Sequence, residues 1–270
     1  MMPQTRIKMV KKLPKLNDPI FIEGLPGVGN VGRIAAGYLV EELGAVKFAD
    51  LFSSHFMPFV LLHQSSCVHV IKNEFYYYKA KKKSERDIIF LIGDSQSINP
   101  QGHYEIVEMT LDFLEKMNVK EVITIAGLKV EENDEDPKVI GAVSDQSILK
   151  KYKKYKIDFD AGSKVGTIVG AAGLFVGLAP YRKMSGMCLL GETPGFPIIP
   201  DPRSAEAVLD ILTKILGVKV DMSKIKEKVK DMEDFIDKIQ TIQTKAIKDM
   251  IQQQMPKQKS DNQDDLTYIG

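Results

Sequence analysis

Gly27-Val28-Gly29-Asn30-Val31-Gly32 matches the GxGxxG pattern, in which glycines let a turn approach a dinucleotide pyrophosphate. Asp50 follows Gly32 by eighteen residues, near the spacing of a ribose-binding acid. The residues ahead of the pattern weigh against that chemistry. In a dinucleotide fold the strand runs almost directly into the first glycine. Here Glu23-Gly24-Leu25-Pro26 intervene, Pro26 sets a turn, and Glu23 brings a negative charge toward any pyrophosphate. The competing reading is a glycine turn that packs a helix closely on a sheet. No GxxxxGK[ST] occurs, which excludes a P-loop. Gly93-Asp94-Ser95-Gln96-Ser97 has the outline of a nucleophile elbow. However, Ser97 replaces the final glycine, and Ile98-Asn99-Pro100 delays the helix that would expose Oγ. A polar loop fits better, with Asn99 capping the helix behind Pro100. His55, His63, His69 and His103 form neither HxxxH nor HExxH, and none has a recognisable partner. No catalytic residue, metal ligand or cofactor site is assigned.

Two lysine clusters are interleaved with tyrosines. Lys79, Lys81, Lys82, Lys83 and Arg86 follow Tyr76-Tyr77-Tyr78, and Lys150, Lys151, Lys153, Lys154 and Lys156 enclose Tyr152 and Tyr155. Such a pattern can track a nucleic-acid backbone. The whole chain argues the other way. Its 270 residues carry 37 Lys+Arg against 36 Asp+Glu, so no global field attracts a polyanion. Only Arg6, Arg33, Arg86, Arg182 and Arg203 supply the forked guanidinium suited to phosphate and base edges. Nucleic acid is therefore not the expected partner. A hydrophobic fraction of 44% with 27% charged residues fits a soluble globular chain. The N-terminus lacks an apolar signal core, and the low-charge stretch 165–180 is short and glycine-rich, so no membrane partner is expected. Cys67 and Cys188 both lie in apolar runs, which predicts buried thiols in a reducing, cytoplasmic compartment.

The elements that must position these residues alternate. Apolar runs predict strands at 20–22, 59–63, 68–71, 74–79, 88–92, 121–126 and 186–190, with Lys72-Asn73 as a tight turn. Helical spacing predicts helices over 30–43, 101–117, 164–178 and 204–216, the first ending at Gly44. In the third, Gly162, Gly166, Gly170, Gly173 and Gly177 recur at threes and fours, a spacing suited to close packing. The class is α/β, a sheet covered by helices on both faces. Beyond about 218 the character changes. Ile225, Val229, Met232, Ile236 and Ile239 make a two-heptad seam, read either as a helix packed on its own body or as an oligomerising helix. Pro256 stops it, 257–265 holds no apolar residue, and Leu266-Thr267-Tyr268-Ile269-Gly270 turns apolar again. Three segments are expected: an α/β body over 1–218, an amphipathic helix over 219–255 and a flexible tail over 256–270.

Two long motifs carry a family resemblance. The run from Glu23 to Gly32, containing Gly24, Pro26, Gly27 and Gly29, resembles the opening signature of the proteasome assembly chaperone family in its archaeal form. Gly191-Glu192-Thr193-Pro194-Gly195-Phe196, followed by Pro200-Asp201-Pro202, resembles the later signature. Gly170-Ala171-Ala172-Gly173-Leu174 also fits, and the resemblance spans about 15–218. It implies a three-layer α/β/α sandwich similar to nucleoside phosphorylases, without a catalytic site or cofactor. It implies a homo-oligomer that binds 20S proteasome α subunits through a C-terminal hydrophobic-Tyr-any tail. The family motif places tyrosine next to last, whereas Tyr268 is third from last here. The alternative from another class is a nucleoside- or nucleotide-binding enzyme using the Gly27–Gly32 loop.

Overall fold

A computed structural model describes residues 4–62, 66–82, 86–130, 136–160, 165–195 and 200–230. The chain divides into two units, Met1–Val229 and Lys230–Gly270. The first unit is built on strands β1 (Thr5–Met9), β2 (Ile20–Gly24), β3 (Val46–Ser53), β6 (Asn73–Tyr78), β7 (Ile88–Gly93), β8 (Glu121–Lys129), β9 (Val139–Val143) and β10 (Ser185–Thr193). These form one sheet in the order β1-β3-β6-β7-β2-β8-β10-β9. β4 (Val60–Leu62) and β5 (Val68–Val70) pair separately.

The centre of the sheet is parallel: β7, β2, β8 and β10 run together, and β3, β6 and β9 extend it antiparallel. Parallel strands need crossovers, and the helices supply them. Between strands lie α1 (Val31–Glu42), α2 (Pro100–Lys116), α3 (Leu149–Tyr152) and α4 (Ala171–Leu178), whereas α5 (Pro202–Leu216) follows the last strand. The period-two alternation of strands divides the core between two faces. Ile20 and Ile22 of β2, with Ile88, Phe90, Ile123, Ile125, Met187 and Leu189, pack beneath α1 and α5. Phe21, with Ile89, Leu91 and Val122, packs beneath α2 and α4, and its ring lies 5.5 Å from that of Phe175. Both faces are dry, which is why the central strands read as continuous apolar runs. The result is the expected α/β sandwich with helices on both sides of a sheet.

Local chemistry sets the helix ends. Gly44 follows α1 with φ 61°, the left-handed closure expected of it. Asn99 Oδ1 accepts the Gly102 amide at 2.7 Å and Pro100 opens α2, as predicted. Asp201 caps α5 through the Arg203 and Ser204 amides, both at 3.1 Å. A helical segment over 223–229 rests on the body. Ile225 is fully buried in the α1–α5 core, Tyr38 donates to the Asp221 carbonyl at 2.6 Å, and Lys224 pairs with Glu42 at 2.9 Å. For Ile225 the seam is therefore self-packing. Its continuation from Met232 onward lies outside the described residues.

Several elements differ from expectation. Lys72-Asn73 is no hairpin turn: β5 pairs only with β4, and Asn73 begins β6 between β3 and β7. The helix predicted over 164–178 starts at Ala171, because Gly170 takes φ 91° and breaks the helical backbone. The glycine stripe consequently makes no continuous contact face; Gly166 and Gly177 border open space. Cys188 is buried as expected, but Cys67 is exposed, since its apolar neighbours form the outlying β4–β5 pair rather than the main sheet. Strands β1, β3 and β9 were not anticipated; exposed positions dilute the apolar signal in β1, and charged Lys47 and Asp50 interrupt it in β3.

Candidate functional site

The two glycine-rich signatures meet at the carboxyl ends of the central strands. Gly24 closes β2, and α1 starts seven residues later, after Pro26, Gly27 and Gly29. Gly29 and Asn30 both adopt left-handed backbone, at φ 59° and 51°, and this pair swings the chain up into α1. A side chain on Gly29 would also sit 2.9 Å from Thr193 Oγ1. Gly24 and Gly32 serve a close approach: a Cβ on Gly24 would overlap the Gly32 carbonyl, and one on Gly32 the Ile125 carbonyl. α1 thus lies almost in contact with β2 and β8. From the later signature, Gly191 lies against Ser204 of α5, and Glu192 Oε2 accepts the Lys138 amide at 3.2 Å. Pro194 and Gly195 continue past β10, where Gly195 adopts φ 69° against Lys129. The Asp201 amide donates to the Gly29 carbonyl at 2.7 Å and ties the two signatures together. Phe196 lies outside the described residues.

Beneath this junction is a cavity of about 320 Å³, lined by Glu23, Gln96, Ser97 and His103, with Leu25, Val28, Ile125, Val169 and Ala172 as apolar walls. It sits where β2 is flanked by connections leaving in opposite directions, the usual crevice for ligands in open α/β sheets. Gln96 bridges two rims. Its Nε2 donates to the Pro26 carbonyl at 2.7 Å, and its Oε1 accepts the Ala171 amide at 2.9 Å. Glu23 corrects an expectation. Full burial pushes its carboxyl up to about 8, against the opposing Leu25 amide, so at neutral pH it brings no charge toward a ligand. No Lys or Arg is among the described residues lining the cavity, so a pyrophosphate would have no countercharge there.

A second cavity, of about 390 Å³, opens between α1 and β6–β7 and is lined by Arg33, His69, Lys72, Glu74 and Asp94. Asp94 lies 3.3 Å from His69 Nε2 and accepts the Lys72 amide at 3.3 Å. Ser95 Oγ donates to the Gln96 carbonyl at 2.7 Å, so this segment is a polar loop and not a nucleophile elbow. His55 also has partners that sequence spacing could not show: Asn99, Glu105 and Gln4, at 3.1, 3.2 and 3.2 Å. His63 lies outside the described residues. Among the described residues no group of His, Cys, Asp and Glu is arranged to hold a metal ion, and no helix is long and apolar enough to cross a membrane.

The lysine clusters converge inside the fold. Arg86 from one and Lys151 from the other reach Glu121 Oε2, at 2.6 and 2.5 Å, and the Tyr152 hydroxyl donates to the same carboxylate. Lys151 and Lys154 lie 5.2 Å over the Tyr152 and Tyr155 rings. These lysine–tyrosine pairs stabilise a helix end. The proposed tail contact, Leu266 to Gly270, lies outside the described residues.

Comparison with known proteins places this geometry. The structure of PbaB from Pyrococcus furiosus, described as an archaeal proteasome activator, is 41% identical; the match covers 88% of this chain and 100% of that chain, with a TM-score of 0.84. PbaA from the same organism, described as an archaeal homolog of proteasome-assembly chaperone, is 28% identical over 92% and 97% of the two chains, with a TM-score of 0.70. Protein MJ1210 of Methanocaldococcus jannaschii is 35% identical over 263 residues, 97% of this chain and 96% of its own length. The PAC2 family model matches residues 21–240, which includes both glycine signatures, and the chain belongs to the PAC2 family.

Proposed function

We propose that this protein is a non-enzymatic, ATP-independent factor that binds the 20S proteasome as an assembly chaperone or activator, in the cytoplasm. The observation that carries this reading is the similarity to PbaB, 41% identical along its entire length. In this reading the α/β body over 1–218 is an oligomeric platform, 219–255 a helical spacer and 256–270 the docking tail. Tail chemistry supports it. A polar tether leads to Leu266-Thr267-Tyr268-Ile269-Gly270, where Tyr268 offers apolar area and a hydroxyl to a pocket between α subunits. Several tails on one oligomer would bind together, so a modest single contact suffices. The exposed apolar residues Leu62, Val68 and Val70 of the β4–β5 pair favour a self-associating body.

The test is a pull-down of 20S particles by intact protein and by a variant ending at Asp265. The intact chain retains 20S, and the truncated chain loses it by about tenfold or more. Equal retention by both would remove the tail from the mechanism. Failure of both would remove the partner.

A further inference from the structure

Charge is missing from one stretch of the chain. Residues 51–71 hold no Asp, Glu, Lys or Arg, in a sequence where these make up 27%. A segment of that length ordinarily carries about five. Such a run is unremarkable inside a sheet, but here its side chains come to the surface. Met57, Phe59, Val60, Leu62, Val68 and Val70 are 48% to 73% exposed, and they are six of the thirteen large apolar residues exposed among the described ones. The register of the β4–β5 hairpin explains this. Val60 stands opposite Val70, and Leu62 opposite Val68. The period of two puts these four on one face, with Leu61 and His69 on the other. The inner face is anchored: Leu61 packs on the core beneath α2, and His69 Nε2 lies 3.3 Å from Asp94. The outer face is an aliphatic quartet with no cover among the described residues. β4 and β5 pair with no further strand there, and a two-stranded hairpin needs a covering layer to be more than marginally stable in water.

We propose that the outer face of β4–β5 is a two-fold interface, on which a second copy of this chain seats the same face. Val60, Leu62, Val68 and Val70 then pack against their counterparts. This rests on the reading of the body as an oligomeric platform and names the surface that builds it. Composition selects the occupant. A segment without a formal charge offers nothing to an acidic or basic partner. An uncharged aliphatic face is complementary to itself, and a two-fold axis brings it onto itself. Depleted charge with Met57 and Phe59 alongside is the composition of an interface core. Area agrees. The six side chains expose about 600 Å² per copy, the upper end for a monomer's largest apolar patch and most of the roughly 800 Å² that each partner gives a stable interface.

The experiment is light scattering on the full-length protein, with Leu62→Lys and Val70→Lys as variants. Both positions are exposed, so the folded protomer tolerates a lysine, and circular dichroism checks that it does. The wild-type chain is an oligomer, and either lysine lowers its mass about twofold or more by setting like charges across the axis. Cys67 gives a second reading that needs no substitution in the face. It precedes Val68 and is exposed, whereas Cys188 is buried. Each three-residue strand of the hairpin is about 10 Å long, so a two-fold contact holds the two Cys67 thiols within about 20 Å. A flexible bismaleimide of that reach links two wild-type chains and leaves Cys67→Ser unlinked. A monomeric wild-type chain would overturn the proposal together with the platform reading. An oligomer whose mass neither lysine lowers, or which yields no Cys67 crosslink, would overturn the proposal and leave the platform standing. So would loss of 20S retention by Leu62→Lys at unchanged mass, which would assign the face to the proteasome.

Discussion

Glu23 and Glu74 are the same residue type in the same sheet, separated by one strand, and their environments drive them in opposite directions. β2 and β6 both flank β7, and the register places Glu23 opposite Leu91 and Glu74 opposite Ile92. One step along β7 reverses the face, so Glu23 points beneath α4 and Glu74 toward α1. Beneath α4, Glu23 meets apolar walls, one backbone amide and no cation, and burial raises its carboxyl to about 8. Glu74 is also penalised by burial. Lys47 at 2.5 Å, Tyr76 at 2.7 Å and Lys72 at 3.0 Å outweigh that penalty and hold it down at about 2. The lesson is that a partner, more than depth alone, decides whether a carboxyl in this fold is charged. One face of the sheet end is neutral and has an unsatisfied donor. The other is a closed ionic network.

The largest effect that could break this contrast belongs to Glu23→Gln. An acid whose folded pKa is raised is harmless below its unfolded value and destabilises as pH rises through the folded one. From 4.5 to about 8, the loss above pH 8 is at most about 5 kcal/mol. In urea melts, Glu23→Gln is expected to gain several kcal/mol over wild type at pH 9 and nothing below about pH 4. A gain that does not vary with pH would mean that folding leaves the Glu23 carboxyl unshifted. Next comes Gly32→Ala, whose methyl would overlap the Ile125 carbonyl; it is expected to lose about 3 kcal/mol in the same melts. A neutral result there would return the GxGxxG turn to ligand binding as its reason for glycine.

Glu74→Gln runs opposite to Glu23→Gln. A lowered folded pKa adds stability above the unfolded value, and that stability disappears as pH falls toward about 2. Partial exposure screens the network, so the expected loss is about 1–2 kcal/mol at pH 7, fading under acid. If the loss persisted at pH 2, packing and not charge would explain the site. The smallest effect is Asn99→Ala, about 1 kcal/mol, with faster hydrogen exchange at the Gly102 amide. It loosens the turn that carries His103 without touching the charged face.

Much of the fold was legible because its central strands are buried on both sides and show it as unbroken apolar runs, as in 88–92. The two signatures were legible as motifs, and Asn99-Pro100 as a cap. Glu23 was visible too, but its charge was misjudged. A carboxylate is the sound expectation for a Glu beside a loop, and only the placement of α4 over it removes solvent. Likewise Glu121 gave no sign that Arg86 and Lys151, from two separate lysine clusters, would converge on it. Contacts between residues 30 or more apart leave no periodic trace.

What the sequence determined alone was local and repetitive. It includes the α/β alternation, the left-handed glycine after α1, the proline-opened helices, the family signatures and the polar tether before the last five residues. These follow from backbone sterics and from burial patterns of period 2 and 3.6, which each segment carries within itself. Tertiary structure decided which residues meet. It joined Gly29 to Asp201, set Gln96 between two loops, and left Glu23 Oε2 buried without a hydrogen-bond partner. Protonation and hydrogen bonding depend on neighbours brought from distant parts of the chain, so the character of the cavity arose only when the layers closed.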